Sequence, residues 1–373
     1  MKNSAPSRVI VNLANYAHNL DVVRRLVGTH PGICAVVKAN AYGHGMLPVA
    51  RRAAEWGADM LGVATVDEGA ALRGAAIPGP ILLMFQPPRE ALAAAVSHDL
   101  EITLCDIESA KQLAEIARRL NKIVTVHCMI DTGMGRQGFA LAQAAQDLQY
   151  VARLSRIDVA GIATHFPIAE KAEDTFTYNQ IKALRQTLKY AAKAGIPFET
   201  GHAANSAAIV NYPGAAFDLV RPGLMTYGVW PALDAPAQRP VRPVMRWETR
   251  VIQVRELEPG TSISYGRTYT TDVRMRAAML PVGYADGYPH HLSNRADVLL
   301  HGRRCPVRGR VCMDQIVVDV SHVPAVRAGD RATLLGADGD ECITVEELAL
   351  RADTIPYEIL AGIGQRVARE YME

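Results

Sequence analysis

What this chain lacks narrows its possibilities first. Its six cysteines, Cys34, Cys105, Cys128, Cys305, Cys312 and Cys342, include no CxxC pair. Neither a disulfide framework nor a zinc site is expected from such scattered thiols, which read as reduced core residues. No stretch approaches the ~18 consecutive apolar residues of a membrane span, and Met1–Asn12 has no apolar run of signal-peptide length, so no membrane association and a cytoplasmic location are expected. An excess of one charge is missing too. Forty basic residues face 38 acidic ones, a net +2, which leaves no long-range field to gather nucleic acid or an anionic surface. Any anion this protein binds has to be held by a few placed donors. Internal repeats and low-complexity tracts are also absent.

What is present is a chain of 373 residues, 49% hydrophobic and 21% charged, enough for two domains of ordinary globular composition. Short apolar runs recur at Ile33–Lys38, Leu61–Thr65, Ile81–Phe85, Glu101–Cys105, Ile123–Ile130, Val159–His165, Phe198–His202 and Phe217–Arg221. Between them lie segments of helical periodicity, among them Leu47–Trp56, Ser109–Leu120, Gln143–Leu154 and Tyr178–Ala194. Strand–helix alternation implies parallel pairing, and eight such units close a (β/α)8 TIM-type barrel; a count of seven or nine remains open at this level. The prolines Pro231, Pro236, Pro240 and Pro243 then mark a linker. Beyond it come β-like stretches at Arg250–Glu256, Ala277–Val282, Val298–His301, Arg310–Val320 and Ala332–Leu335, with turns at Pro259-Gly260, Asp286-Gly287 and Asp338-Gly339. A closing helical segment is expected over Val345–Tyr371. The α/β fold expected is a barrel over residues 1–235 followed by a mostly β domain over residues 236–373.

In a parallel barrel the chemistry gathers at the C-terminal ends of the strands. Those ends carry Lys38, Asp131 with Arg136, His165, Asn205-Ser206, and Arg221 with Gly223. Lys38 ends an apolar strand, so it either reaches solvent or serves as a desolvated amine, whose lowered pKa suits Schiff-base formation. Asn205-Ser206 reads equally as a helix cap, His165 as a satisfied core histidine, and Tyr265 as a hairpin aromatic.

The run Ala35-Val36-Val37-Lys38-Ala39-Asn40-Ala41-Tyr42-Gly43-His44-Gly45 resembles the cofactor-lysine motif of the alanine racemase family, barrel-type amino-acid racemases dependent on pyridoxal 5'-phosphate. Further stretches resemble that family in order along almost the whole chain. They are Asp131-Thr132-Gly133-Met134-Gly135-Arg136, Thr164-His165-Phe166, Asn205-Ser206-Ala207, Arg221-Pro222-Gly223, Ser264-Tyr265-Gly266, Val282-Gly283-Tyr284-Ala285-Asp286-Gly287 and Arg310-Val311-Cys312-Met313-Asp314-Gln315.

The resemblance implies a division of labour. Lys38 carries the cofactor and Tyr42, Ser206, Gly223 and Leu224 hold its phosphate, with Asn205 alongside and Tyr357 as a further phosphate-side tyrosine. Arg221, oriented by His165, faces the pyridine nitrogen. An arginine keeps its proton, so the ring is a weaker electron sink than one facing a carboxylate, which suits racemisation. Lys38 and Tyr265 serve as the two bases on opposite faces, Tyr265 coming from the partner chain of a homodimer. A phenol, with its ordinary pKa of ~10, needs cationic neighbours for that work. Arg136, Tyr284 and Met313 bind the amino-acid substrate. The sequence departs from the family in one place: many members carry a carbamylated lysine two residues before the Asp-Thr-Gly, and Met129 stands there. A chloride or another anion beside Arg136 is expected to replace it.

Rival readings within reach are a broad-specificity racemase acting on serine, lysine or arginine, a lyase or decarboxylase on the same cofactor and barrel, and a non-catalytic cofactor carrier. Tyr265 counts against the second and the β-rich second half against the third. Asp131-Thr132-Gly133 has no second copy, which an aspartic protease needs. Asp338-Gly339-Asp340 is too short for a calcium loop, and Pro289-His290-His291 lacks partner ligands at metal spacing. Arg303, Arg304, Arg308 and Arg310 alternate with strand residues and read as a solvated face or dimer contact.

Overall fold

The computed structural model describes residues 6–232 and 239–373. Two compact units emerge from its internal contacts: Tyr16–Ala41 with Met46–Val241, and Met1–Asn15 with Tyr42–Gly45 and Arg242–Glu373. The expected boundary between residues 235 and 236, and Pro236 with it, lies outside the described residues.

The first unit holds eight parallel strands: β1 (Gly32–Val36), β2 (Met60–Val63), β3 (Ile81–Leu83), β4 (Glu101–Leu104), β5 (Val124–Asp131), β6 (Ile157–Ala163), β7 (Thr200–Asn205) and β8 (Leu219–Arg221). Each pairs with the next, from Cys34 opposite Met60 round to Leu219 opposite His202. The ring closes where β8 pairs back onto β1, with Leu219 opposite Gly32. All eight expected runs are strands. The reason is compositional: both faces of a parallel barrel strand are covered, so each reads as a continuous apolar run. Cys34, Met60, Leu82 and Leu219, from four different strands, meet in one buried cluster.

Local signals set the outer helices. Asp106 caps Ile107–Leu120 by accepting from Ser109 N–H at 2.8 Å, and Asn121, in the left-handed region at φ 52°, ends it. Asp174 caps Thr175–Lys193 in the same way. Among the described residues no helix is long and apolar enough to cross a membrane.

The second unit is built on a mostly antiparallel sheet. Its strand order is Gln253–Leu257, Met275–Leu280, Ile316–Asp319, Arg303–Arg308, Asp297–Leu300, Arg331–Asp338, Met245–Arg250, Arg8–Asn12 and Ala368–Met372. Only the final pair is parallel, with Val9 opposite Arg369. Two expectations change here. Arg310–Val320 is a strand only over Ile316–Asp319, while the arginine-bearing stretch Arg303–Arg308 is a full strand. The closing segment is helical over Val345–Arg351 and Pro356–Ala361, and then extended over Ala368–Met372. The helix stops at Gly362, and the residues beyond it find a strand partner in Arg8–Asn12.

Candidate active site

The turn that follows β1 gives Lys38 its setting. Ala39, Asn40, Ala41 and Tyr42 all have φ between 51° and 54°. This left-handed conformation costs an L-residue roughly 1–2 kcal/mol, so a run of four needs fixed partners. The Ala39 N–H donates to Glu68 Oε1 at 2.6 Å, Asn40 Oδ1 accepts from Met46 N–H at 2.9 Å, and Ala41 N–H donates to Val37 O at 2.8 Å. Gly43 continues the turn at φ 79°, where a Cβ would lie 2.1 Å from Leu360 O. Only glycine fits there.

Lys38, Arg136, His165 and Arg221, predicted from four different strand ends, line one cavity together with Phe85, Met129 and His202. Lys38 Nζ stands 4.7 Å from the centroid of the Phe85 ring, and the Arg136 guanidinium 4.8 Å from the same centroid. Burial pushes the Lys38 amine below its ordinary value; the nearby Arg136 and Arg221 charges add to that, and Glu68 opposes it. The amine is therefore a better nucleophile than an exposed lysine.

Arg221 is held by four acceptors. Its NH1 donates to His202 Nδ1 at 2.6 Å, and its NH2 to Thr164 O at 2.8 Å, Ala203 O at 3.0 Å and His165 Nδ1 at 3.3 Å. Burial brings its pKa down to about 10, which still leaves a cation at neutral pH. Burial, then the charges of Arg221, Arg136 and Lys38, bring His165 down to about 3. His165 is thus a neutral imidazole that accepts through Nδ1.

Ser206 and Gly223, paired by the sequence reading as anion donors, do meet: Gly223 N–H donates to Ser206 Oγ at 2.9 Å, and Met225 N–H approaches the same oxygen at 3.3 Å. Leu224 opens the short turn Leu224–Tyr227 beside them. Asn205 is a helix cap, its Oδ1 accepting from Ala208 N–H at 3.0 Å. The expected anion donors and the expected cap are therefore neighbours.

In the second unit the rings of Tyr42 and Tyr357 lie 5.9 Å apart. Tyr265 occupies the tip of the hairpin formed by Ser262–Ile263 and Tyr269–Thr270 and is 74% exposed. The segments carrying Tyr284 and Met313 are locked together: Tyr284 N–H donates to Cys312 O at 3.1 Å and Ala285 N–H to Met313 O at 3.0 Å. Arg366 clamps both, reaching Asp286 and Asp314 at 2.7 Å each.

Sequence reasoning missed Glu68, Phe85, Glu101, His127 and His202. The pattern Thr65-Val66-Asp67-Glu68 is a capping-box signature, and both of its hydrogen bonds form. For Glu101, His127 and His202 the signal was a polar side chain inside or next to an apolar run, and Phe85 was one more apolar residue at the end of such a run.

The profile of the family described as "Alanine racemase, N-terminal domain" matches residues 11–231, and that of "Alanine racemase, C-terminal domain" matches residues 244–371. The chain is 41% identical to an alanine racemase of Halothermothrix orenii over 98% of its length and 97% of that protein's. It is 44% identical to an alanine racemase of Symbiobacterium thermophilum, again over 98% and 97%. Among solved structures, an alanine racemase of Clostridium difficile superposes with a TM-score of 0.95 at 34% identity, covering 100% of this chain and 97% of that one. A Bartonella henselae alanine racemase, described with covalently bound pyridoxal phosphate, superposes with a TM-score of 0.89 at 27% identity, covering 99% and 100%.

Proposed function

The chain belongs to the alanine racemase family, and on that premise we propose that it interconverts L- and D-alanine with pyridoxal 5'-phosphate as cofactor and Lys38 and Tyr265 as its two bases. The observation that carries this reading is the convergence of Lys38, Arg136, His165 and Arg221 on one cavity.

The residues fit the cofactor. A desolvated amine with cationic neighbours suits imine formation with an aldehyde. The Ser206 hydroxyl, which accepts the Gly223 N–H and keeps its own hydrogen to donate, suits a phosphate, and a buried cation suits a pyridine nitrogen that keeps its lone pair. When bound, the cofactor supplies an electron-withdrawing ring that acidifies the substrate's α-hydrogen. The protein's residues do the rest. Arg136 takes the substrate carboxylate through a bidentate fork, with Tyr284 and the Met313 backbone as further contacts. Lys38 Nζ removes or returns the α-proton on one face and Tyr265 Oη on the other, each functioning as acid in one direction and base in the other. Arg221, which donates in each of its hydrogen bonds, would offer the ring nitrogen no easily transferred proton. Withholding a proton there would favour its return to the α-carbon.

Tyr265 works across a subunit boundary in this reading, as part of a homodimer with shared active sites; its 74% exposure at a hairpin tip supports this. Six free cysteines support a reducing, cytoplasmic setting. A chloride or similar anion serves Arg136 where Met129 cannot. The test is chiral analysis of initial rates with alanine, serine, lysine and arginine. Alanine racemised fastest, with no loss of amine or carboxylate, supports the reading. Faster turnover of the larger amino acids would replace it with broad specificity, and carbon dioxide release with a decarboxylase.

A further inference from the structure

A line of hydrogen bonds crosses the barrel interior below Arg221. His202 Nδ1 receives NH1 of Arg221 at 2.6 Å; His202 Nε2 lies 2.9 Å from His127 Nδ1; His127 Nε2 lies 2.8 Å from Glu101 Oε2. Both imidazoles are 1% exposed, and the Glu101 side chain is 19% exposed. Glu101 begins β4 and Arg221 ends β8, so the line joins opposite ends of the barrel.

The two histidines come from β5 and β7, with β6 between them. They meet because β6 carries Gly161 at the crossing, opposite His127 in the register. A Cβ there would lie 2.1 Å from His127 Nδ1. The gap in β6 is therefore part of the arrangement.

Donor bookkeeping fixes its direction. A guanidinium can only donate, so His202 Nδ1 must be bare and its hydrogen sits on Nε2. That hydrogen requires a bare Nδ1 on His127, whose own hydrogen then sits on Nε2 and points at Glu101. A carboxylate can only accept. Every hydrogen bond in the line therefore runs from Arg221 toward Glu101, and the opposite order would set an N–H of His202 against an N–H of Arg221.

We propose that Glu101 and His127 are positioning residues for the racemisation. They lock His202 in the Nε2–H tautomer, so that its bare Nδ1 holds the Arg221 guanidinium in place at the ring nitrogen. This rests on the reading of Arg221 given above, and it extends the functional set to a carboxylate at the far end of the barrel. Glu101 does for His202, through His127, what an adjacent carboxylate does for the imidazole of a catalytic triad: it selects a tautomer.

The experiment uses the cofactor-loaded enzyme. Nitrogen-15 NMR of the ring nitrogens reads the tautomers directly, before any substitution. Wild type is expected to show Nε2–H and bare Nδ1 on both His127 and His202; an Nδ1–H or a doubly protonated ring at either position overturns the proposal. Glu101→Leu, which removes the acceptor, should yield a second tautomer signal for His202 and at least a tenfold fall in kcat with KM changed less than twofold. Glu101→Gln, whose carbonyl still accepts, should keep the wild-type tautomers and stay within about threefold in kcat. Loss of thermal stability in Glu101→Leu with unchanged tautomers and kcat would reduce the line to a structural bond network. Absence of racemase activity in wild type would instead remove the functional reading while leaving the tautomer result intact.

Discussion

The carboxylate of Glu68 accepts the backbone N–H of Ala39 at 2.6 Å, and its other oxygen accepts Ala64 N–H at 2.8 Å and Thr65 N–H at 3.4 Å. One side chain thus ties the capped start of a helix to the left-handed turn behind Lys38. Glu68→Ala leaves three donors to find water and should cost about 1–3 kcal/mol, with a Tm lower by roughly 2–4 °C per kcal/mol. It should also weaken cofactor binding, because the Lys38 turn loses its brace. Melting curves without cofactor and a pyridoxal phosphate titration check both. Unchanged affinity would mean the turn holds without Glu68.

Gly283 is a packing constraint rather than a conformational one. Its φ of −157° is open to any residue, but a Cβ would lie 2.2 Å from Cys312 O and 2.3 Å from Met313 O. Gly283→Ala must push the Tyr284 and Met313 segments apart, at about 1–3 kcal/mol. KM for alanine should rise at least fivefold, because both segments belong to the proposed substrate site. Steady-state kinetics decide; a loss of stability with KM unchanged would remove the two segments from substrate binding.

Lys38 gives a pH signature. Its amine sits below the ordinary 10.5 in the folded, cofactor-free protein. Between the lowered value and 10.5 the unfolded chain binds more protons, so stability rises with pH across that window and falls as pH drops through it. Lys38→Met removes the buried charge and should melt above wild type at neutral pH, the difference closing as pH approaches 10.5. Borohydride trapping of pyridoxal phosphate should label Lys38 in preference to exposed lysines at neutral pH. Equal labelling of surface lysines would contradict the shift.

Tyr265→Phe keeps the ring and removes the hydroxyl proposed as the base on that face. The variant should retain the near-visible absorbance of the bound cofactor, which Lys38→Ala should abolish, and lose about 100- to 10,000-fold in kcat. Racemisation in deuterated water would show the loss in both directions. Wild-type rates would exclude the phenol as a base.

Met129 sets the last expectation. With no carbamate available, Arg136 has the Phe85 face at 4.8 Å and, in the proposed enzyme, a chloride. Replacing chloride by a non-coordinating anion should raise KM for alanine at least twofold without altering the cofactor spectrum. Kinetics indifferent to the swap would leave the aromatic face as the sole replacement.

The barrel was legible because its strands are covered on both faces, so eight runs such as Ile81–Phe85 stood out from amphipathic helices. The strand Arg303–Arg308 was legible only as arginines interleaved with strand residues, without its bounds. Arg304, Pro306 and Arg308 alternate with buried Cys305 and Val307, the pattern of a sheet covered on one face. Ala368–Met372 lacked any local cue, since its partner lies some 360 residues away. Strand-end polarity found Lys38, Arg136, His165 and Arg221. The same rule passes over His127 and Glu101, which lie within or at the start of their strands. Their relation to Arg221 exists only once β4, β5, β7 and β8 are curved into a ring.

Pairing Arg8–Asn12 with Ala368–Met372 also sets an order of events during synthesis. The barrel strands are all present once Arg221 has left the ribosome. The strand Arg8–Asn12, however, must wait for Ala368–Met372 before its outer edge is covered. Until then that edge is open to pairing with another nascent chain, so shortening the C-terminus by a few residues should favour aggregation well before it touches the chemistry.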